Sequence, residues 1–148
     1  MNPVNFYAAA RHNYELVMVG SQHEEFKRNP DRFLLAISNC LCLSVELYFK
    51  SILHHRGIEE QKLKGFGHDI CKLLEEVKKD VSVKVENIQG LEAFVSTWGP
   101  SYKEHSYRYM KENREYKTFN IAIVLKMIDH LGDFTRDAIG LPPLPTPA

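Results

Sequence analysis

The chain lacks several things, and each lack narrows what it can be. It has no surplus charge: 19 Lys and Arg balance 19 Asp and Glu over 148 residues. No global field therefore draws it to nucleic acid or an anionic membrane, and any phosphate-binding surface must be a local patch. Cysteine is scarce and odd in number, at Cys40, Cys42 and Cys71. Residues two apart on a helix point to different sides, so Cys40 and Cys42 cannot clamp a metal there. All three read as buried thiols of a reducing compartment. The spacings Glu-x-x-His, His-x-x-x-His and Cys-x-x-Cys are absent, so neither a metal nor a cofactor is expected. Walker and Gly-x-Gly-x-x-Gly loops and the Gly-x-Ser-x-Gly elbow are missing as well. No window of 18 or more apolar residues is free of charge. The N-terminal stretch MNPVNFYAAARHNYE has neither the basic run nor the apolar core of a signal peptide. The expectation is a soluble, cytoplasmic chain with no membrane partner.

What the chain does have is helical periodicity. A first helix is predicted over Pro3 to Phe26, its apolar face drawn from Phe6, Ala9, Ala10, Leu16, Val17 and Val19. After a break at Arg28–Asp31, Asn29 can cap and Pro30 can start a second helix running to Arg56, ended by Gly57. Phe33, Leu34, Ile37, Leu41, Val45, Tyr48 and Ile52 form one stripe of it, and Cys40, Leu43, Leu47 and Phe49 fill other sides. A helix apolar nearly all round must be covered on most faces. It needs three neighbours, or two and a partner chain, and this predicts a homodimer.

A loop over 58–67 leads to a third helix from His68, with Ile70, Leu73, Leu74 and Val77 on one side. A fourth helix buries Ile88, Leu91, Phe94 or Val95, and Trp98, and stops at Gly99-Pro100. The last begins near Thr118 and ends at Gly140, which suits a left-handed cap ahead of Pro142. The fold class is all-α, an antiparallel bundle of four to five helices in one domain over 1–140. The tail 141–148 is Pro-rich and favours polyproline conformation.

The run Ser44-Val-Glu46-Leu-Tyr-Phe-Lys50 through Gly57, followed by Gly67-His68-Asp69-Ile-Cys-Lys-Leu73-Leu74, resembles the HEPN superfamily of small helical domains. Its members show a Glu-x-x-x-Lys pair on the second helix and a Gly-His-Asp-Leu-like start to the third. The resemblance implies a HEPN-like bundle that dimerises, in a family tied to RNA. That family includes metal-free ribonucleases of toxin and antiphage systems, partners of nucleotidyltransferases, and inactive relatives. Active members use Arg-(x)4–6-His, with arginine on the phosphate and histidine handling the proton of the attacking 2′-hydroxyl. The nearest match here is Arg108 to Asn113. Asparagine hydrogen-bonds phosphate or ribose but has no proton that titrates near neutrality. His105, three residues before Arg108, can share its face on a helical turn and is the candidate base.

Each candidate has two readings. Glu46 and Lys50, one turn apart, form an intrahelical ion pair, or Glu46 orients Arg108 across the bundle. His68 with Asp69 caps the third helix or binds phosphate there. The segment Tyr102–Lys111 interleaves rings and cations. Tyr107, Tyr109, Lys111 and Asn113 join His105 and Arg108 as RNA or nucleotide-phosphate contacts, or the segment serves structure or a partner. His54-His55-Arg56 satisfies the C-terminal dipole of its helix. The functional expectation is therefore RNA or nucleotide-phosphate binding, with metal-independent endoribonuclease chemistry if the chain is an enzyme. The alternative is a non-catalytic dimerising interaction domain that holds a toxin or nucleotidyltransferase as its protein partner.

Overall fold

The apolar second helix organises everything else. The computed structural model describes residues 2–80, 84–104 and 120–142. Among them, the long helices are α1 (Pro3–Gly20), α3 (Leu34–His55), α5 (Ile70–Lys78), α6 (Leu91–Lys103) and α7 (Ile121–Ile139), with short helices α2 (Glu24–Arg28) and α4 (Glu60–Gly65) between them. Helix α3 lies at the centre, packed chiefly on α1, then on α7 and α5, with lesser contact to α6 and α4. Leu41, Cys42, Val45, Tyr48, Phe49, Ile52 and Leu53 are buried along it. With the 3-10 turn before it, Pro30–His55 is long and apolar enough to cross a bilayer, at a mean hydropathy of 1.5. In this fold its apolar side chains from Leu41 onward supply the bundle core, while those before it are only half-buried or exposed.

Two serines tie α3 to α1. The Ser44 hydroxyl donates to Ala10 O at 2.8 Å and the Ser51 hydroxyl to Pro3 O at 2.6 Å. As the numbers rise on one helix they fall on the other, so the pair is antiparallel. Between those two contacts along α1, the Arg136 guanidinium donates to the Tyr7 hydroxyl and to Pro142 O, and it lies over the Tyr7 ring. This fixes the end of α7 beside the start of α1.

Several expected boundaries move. The first helix stops at Gly20 instead of Phe26. The Ser21 hydroxyl turns back onto Met18 O, and the His23 ring accepts from Glu25 N to cap a fresh helix, α2. This is a local side-chain competition with the helix ladder. Its buried face is Phe6, Tyr7, Ala10, Tyr14 and Val17. Leu16 and Val19, read as core, are instead exposed at 65% and 66%. The expected loop 58–67 holds α4, pinned by buried Leu63. The last helix begins at Ile121, where the Asn120 side chain accepts from Ala122 N and Ile123 N.

Helix α6 does not stop at Gly99-Pro100. It runs on to Lys103, with Gly99 and Tyr102 both buried. A Cβ at position 99 would lie 2.8 Å from Cys71 Sγ and 3.2 Å from Ile70 Cγ1. The glycine thus marks a close helix contact, not a turn. Burial of Tyr102 outweighs the hydrogen bond that Pro100 forfeits. Gly140 caps α7 at φ 77°, in the left-handed region expected of it.

Candidate functional site

The most constrained polar group in the described structure is the Glu46 carboxylate. It sits on the buried side of α3 at 3% exposure, where an unsatisfied charge would be costly. Three donors from three parts of the chain satisfy it. Lys50, one turn later on the same helix, donates to Oε2 at 3.2 Å. His68 Nδ1 lies 2.7 Å from Oε1, and the Tyr102 hydroxyl donates to the same oxygen at 2.9 Å. A carboxylate only accepts, so His68 Nδ1 is the donor of this pair. The Tyr102 hydroxyl also lies 3.4 Å from Nδ1, and the two rings meet edge-on with centroids 5.4 Å apart.

Local sequence explains how these groups are delivered. Glu46 and Lys50 share a helix face by their spacing of four. The Lys50 ammonium also donates to Gly67 O at 3.1 Å, which holds the turn that carries His68. Asp69 is the cap of α5, accepting from Lys72 N at 3.1 Å. It frees its neighbour His68 for Glu46. The expected His68-Asp69 pairing at the helix start therefore divides into two jobs: Asp69 caps, and His68 joins the buried carboxylate. Tyr102 arrives because α6 continues past Pro100.

Beside this network is a cleft of about 460 Å³ lined by Lys62, Gly65, Phe66, Asp69, Lys72 and Lys103. Lys103 pairs with Asp69 at 3.2 Å, and the three lysines are exposed. Cys71 borders the adjoining hollow. Burial, together with the charges of Asp69 and Glu75, raises its thiol above the ordinary value, which argues against a thiolate nucleophile there. No family model, no curated protein and no solved structure matches this chain.

The structure brings together three of the residues singled out from sequence: Glu46, Lys50 and His68. His105, Tyr107, Arg108, Tyr109, Lys111 and Asn113 lie outside the described residues. From sequence, Tyr102 and Lys103 belong to the ring-and-cation segment Tyr102–Lys111 with no link to Glu46, and Lys62 and Lys72 carry no functional role. One sequence signal points to Tyr102. It continues the spacing of Phe94 and Trp98 by four, a periodicity that the Gly-Pro pair masks. At the end of α3, His54 Nδ1 lies 2.9 Å from Ile58 O, and Arg56 donates to Val77 O and pairs with Asp80 at 3.3 Å. These groups close the helix end and belong to the scaffold.

Proposed function

We propose that this chain is a HEPN-like helical bundle that binds ribonucleotide phosphate, as RNA or as nucleotide, on the face where His68 leads into α5. The observation that carries the reading is the convergence of Glu46, Lys50, Gly67 and His68 in one hydrogen-bonded cluster, with Asp69 next in the chain capping α5 and pairing with Lys103. These are the residues on which the family resemblance rests. Separated in sequence, they meet beside the cleft bordered by Lys62, Lys72 and Lys103.

The chemistry suits the ligand. Glu46 is buried, while the His68 side chain is 29% exposed, so the carboxylate fixes a ring that solvent and ligand can still reach. Exposed lysines supply the non-specific attraction for phosphate, and the half-buried Phe66 ring at the cleft can take a stacked base. Metal-independent cleavage, with Arg108 on the phosphate and His105 as base, is a further step in the same proposal. Binding is its core claim.

The test is fluorescence anisotropy with labelled single-stranded and structured RNA in EDTA, alongside a gel assay for cleavage. Binding in the micromolar range is expected. The triple variant Lys62→Ala, Lys72→Ala, Lys103→Ala should weaken it at least tenfold. It should also lower the log–log salt slope by about 2, since each single-strand phosphate contact contributes about 0.7. Arg108→Ala should abolish any cleavage. Wild-type protein that binds neither RNA nor a nucleotide at these concentrations overturns the proposal.

A further inference from the structure

The lysine cleft does not stand alone. It shares Asp69, Lys72 and Lys103 with the adjoining hollow of about 390 Å³, which Cys71, Glu75 and Pro100 also line. Each has the size of a small-molecule pocket. The three shared residues thus form a charged border between two hollows of different chemistry. On one side stand Lys62 and the half-buried Phe66 ring. On the other stand the exposed Pro100 and two carboxylates, Glu75 and Glu104. The charge of Glu75 is felt inside this second hollow. After burial, Asp69 and Glu75 raise the Cys71 thiol, and Lys103 opposes them. Such a field repels a phosphate and favours a hydrogen-bond donor.

Resting on the ribonucleotide reading above, we propose that the two hollows are neighbouring subsites for consecutive nucleotides of single-stranded RNA, and that the Glu75 carboxylate makes the second selective for guanine. The border supplies the phosphate contact. A lysine ammonium has three donors, and the Lys103 contact to Asp69 at 3.2 Å uses one. Lys72 adds a second ammonium, so the border stays net positive with Asp69 counted against it. A phosphate held there places one base to each side. The first base meets Phe66, whose ring stacks on any base and reads no sequence. The second meets Glu75. A carboxylate offers two acceptors side by side and no donor. Guanine is the base whose pairing edge carries two adjacent donors, N1–H and the 2-amino group. Adenine and cytosine each set an amine beside an acceptor nitrogen, and uracil sets one N–H between two carbonyls. Those acceptors would face a carboxylate oxygen. Pairing edges are open only in unpaired RNA, which makes the ligand single-stranded.

Fluorescence anisotropy of the full chain in EDTA tests this with labelled hexauridylate and versions of it carrying one central guanine, adenine, cytosine or hypoxanthine. The guanine strand should bind at least about fivefold tighter than the uracil, adenine and cytosine strands. That is the low end for a bidentate contact, as befits an exposed Glu75. Hypoxanthine lacks the 2-amino group and should lose most of the gain. Glu75→Gln exchanges one acceptor for a donor, so the guanine-to-uracil ratio should fall to about one. The side chain is already exposed, and helical circular dichroism should stay unchanged. Equal binding of all strands overturns the guanine subsite and leaves the ribonucleotide reading standing. A preference for another base does the same. A guanine preference that survives Glu75→Gln overturns the assignment to this hollow. Failure to bind any strand overturns both readings.

Discussion

The two ends of helix α3 are built on opposite principles. Toward its C-terminal end, a buried carboxylate is held by an ammonium, an imidazole and a phenol drawn from α3, the turn into α5, and α6. Toward its N-terminal end, Ile37 and Cys40 line an open apolar groove whose other walls come from α1 and α2. Buried charge is directional, and each donor must be in one place or the carboxylate is stranded. Apolar surface has no such demand and accepts any close-packed cover. One end is thus finished within the chain, while the other leaves an apolar groove open. Substitutions at the two ends should differ accordingly.

The largest effect is expected at Glu46. Glu46→Ala removes the acceptor that the Lys50 ammonium, His68 Nδ1 and the Tyr102 hydroxyl share. Breaking a buried pair in this way costs about 3–5 kcal/mol. Lys50 keeps Gly67 O as a second acceptor, which places the loss near about 3 kcal/mol. Urea unfolding followed by the fluorescence of Trp98, the only tryptophan, measures it. A loss under about 1 kcal/mol would mean the three donors do not act as a unit. Tyr102→Phe should cost about 2 kcal/mol, because it removes one hydrogen bond to a charged acceptor and leaves two in place.

This contrast also explains what could be read in advance. The central helix was legible because apolar residues recur on nearly all its faces, and the Glu46–Lys50 pair because four residues bring side chains together on any helix. The partners across the bundle were not legible. His68 is 22 residues and Tyr102 56 residues from Glu46, and no local rule selects among the polar side chains at such distances. Gly99-Pro100 looked like a stop because its residue types favour turns, whereas tertiary contact at Gly99 and Tyr102 decided otherwise. Leu16 and Val19 were assigned to the core because hydrophobicity shows that a residue can be buried, not that it is. The exposed groove follows from that same ambiguity.

A third effect joins the polar end to pH. Cys42 lies one turn before Glu46. Burial, then the charge of Glu46, pushes its thiol well above the ordinary value of 9.0. Tyr48 is raised above 10.0, chiefly by burial. In the unfolded chain these groups lose their protons near the ordinary values, while the folded chain retains them. The unfolded state therefore binds fewer protons above pH 9, and stability falls as pH rises. For the thiol alone the slope is about 1.4 kcal/mol per pH unit above 9. Urea midpoints should be flat from pH 7 to the ordinary thiol value and then decline. Cys42→Ala should flatten the first part of that decline, and a wild-type midpoint unchanged up to pH 10 would contradict it.

The smallest effect belongs to the apolar end. Measured on the monomer at high dilution, Leu16→Lys with Val19→Lys should change folding stability by no more than about 0.5 kcal/mol, as exposed substitutions usually do. Neither side chain gives up much burial. Lysine is a better helix former than valine. Both positions lie toward the C-terminal end of α1, where a positive charge opposes the helix dipole favourably. The groove's hydrophobicity would then contribute almost nothing to the fold of the single chain. A destabilisation of about 2 kcal/mol or more would place these residues in the core after all. The two ends of α3 would then no longer differ in kind.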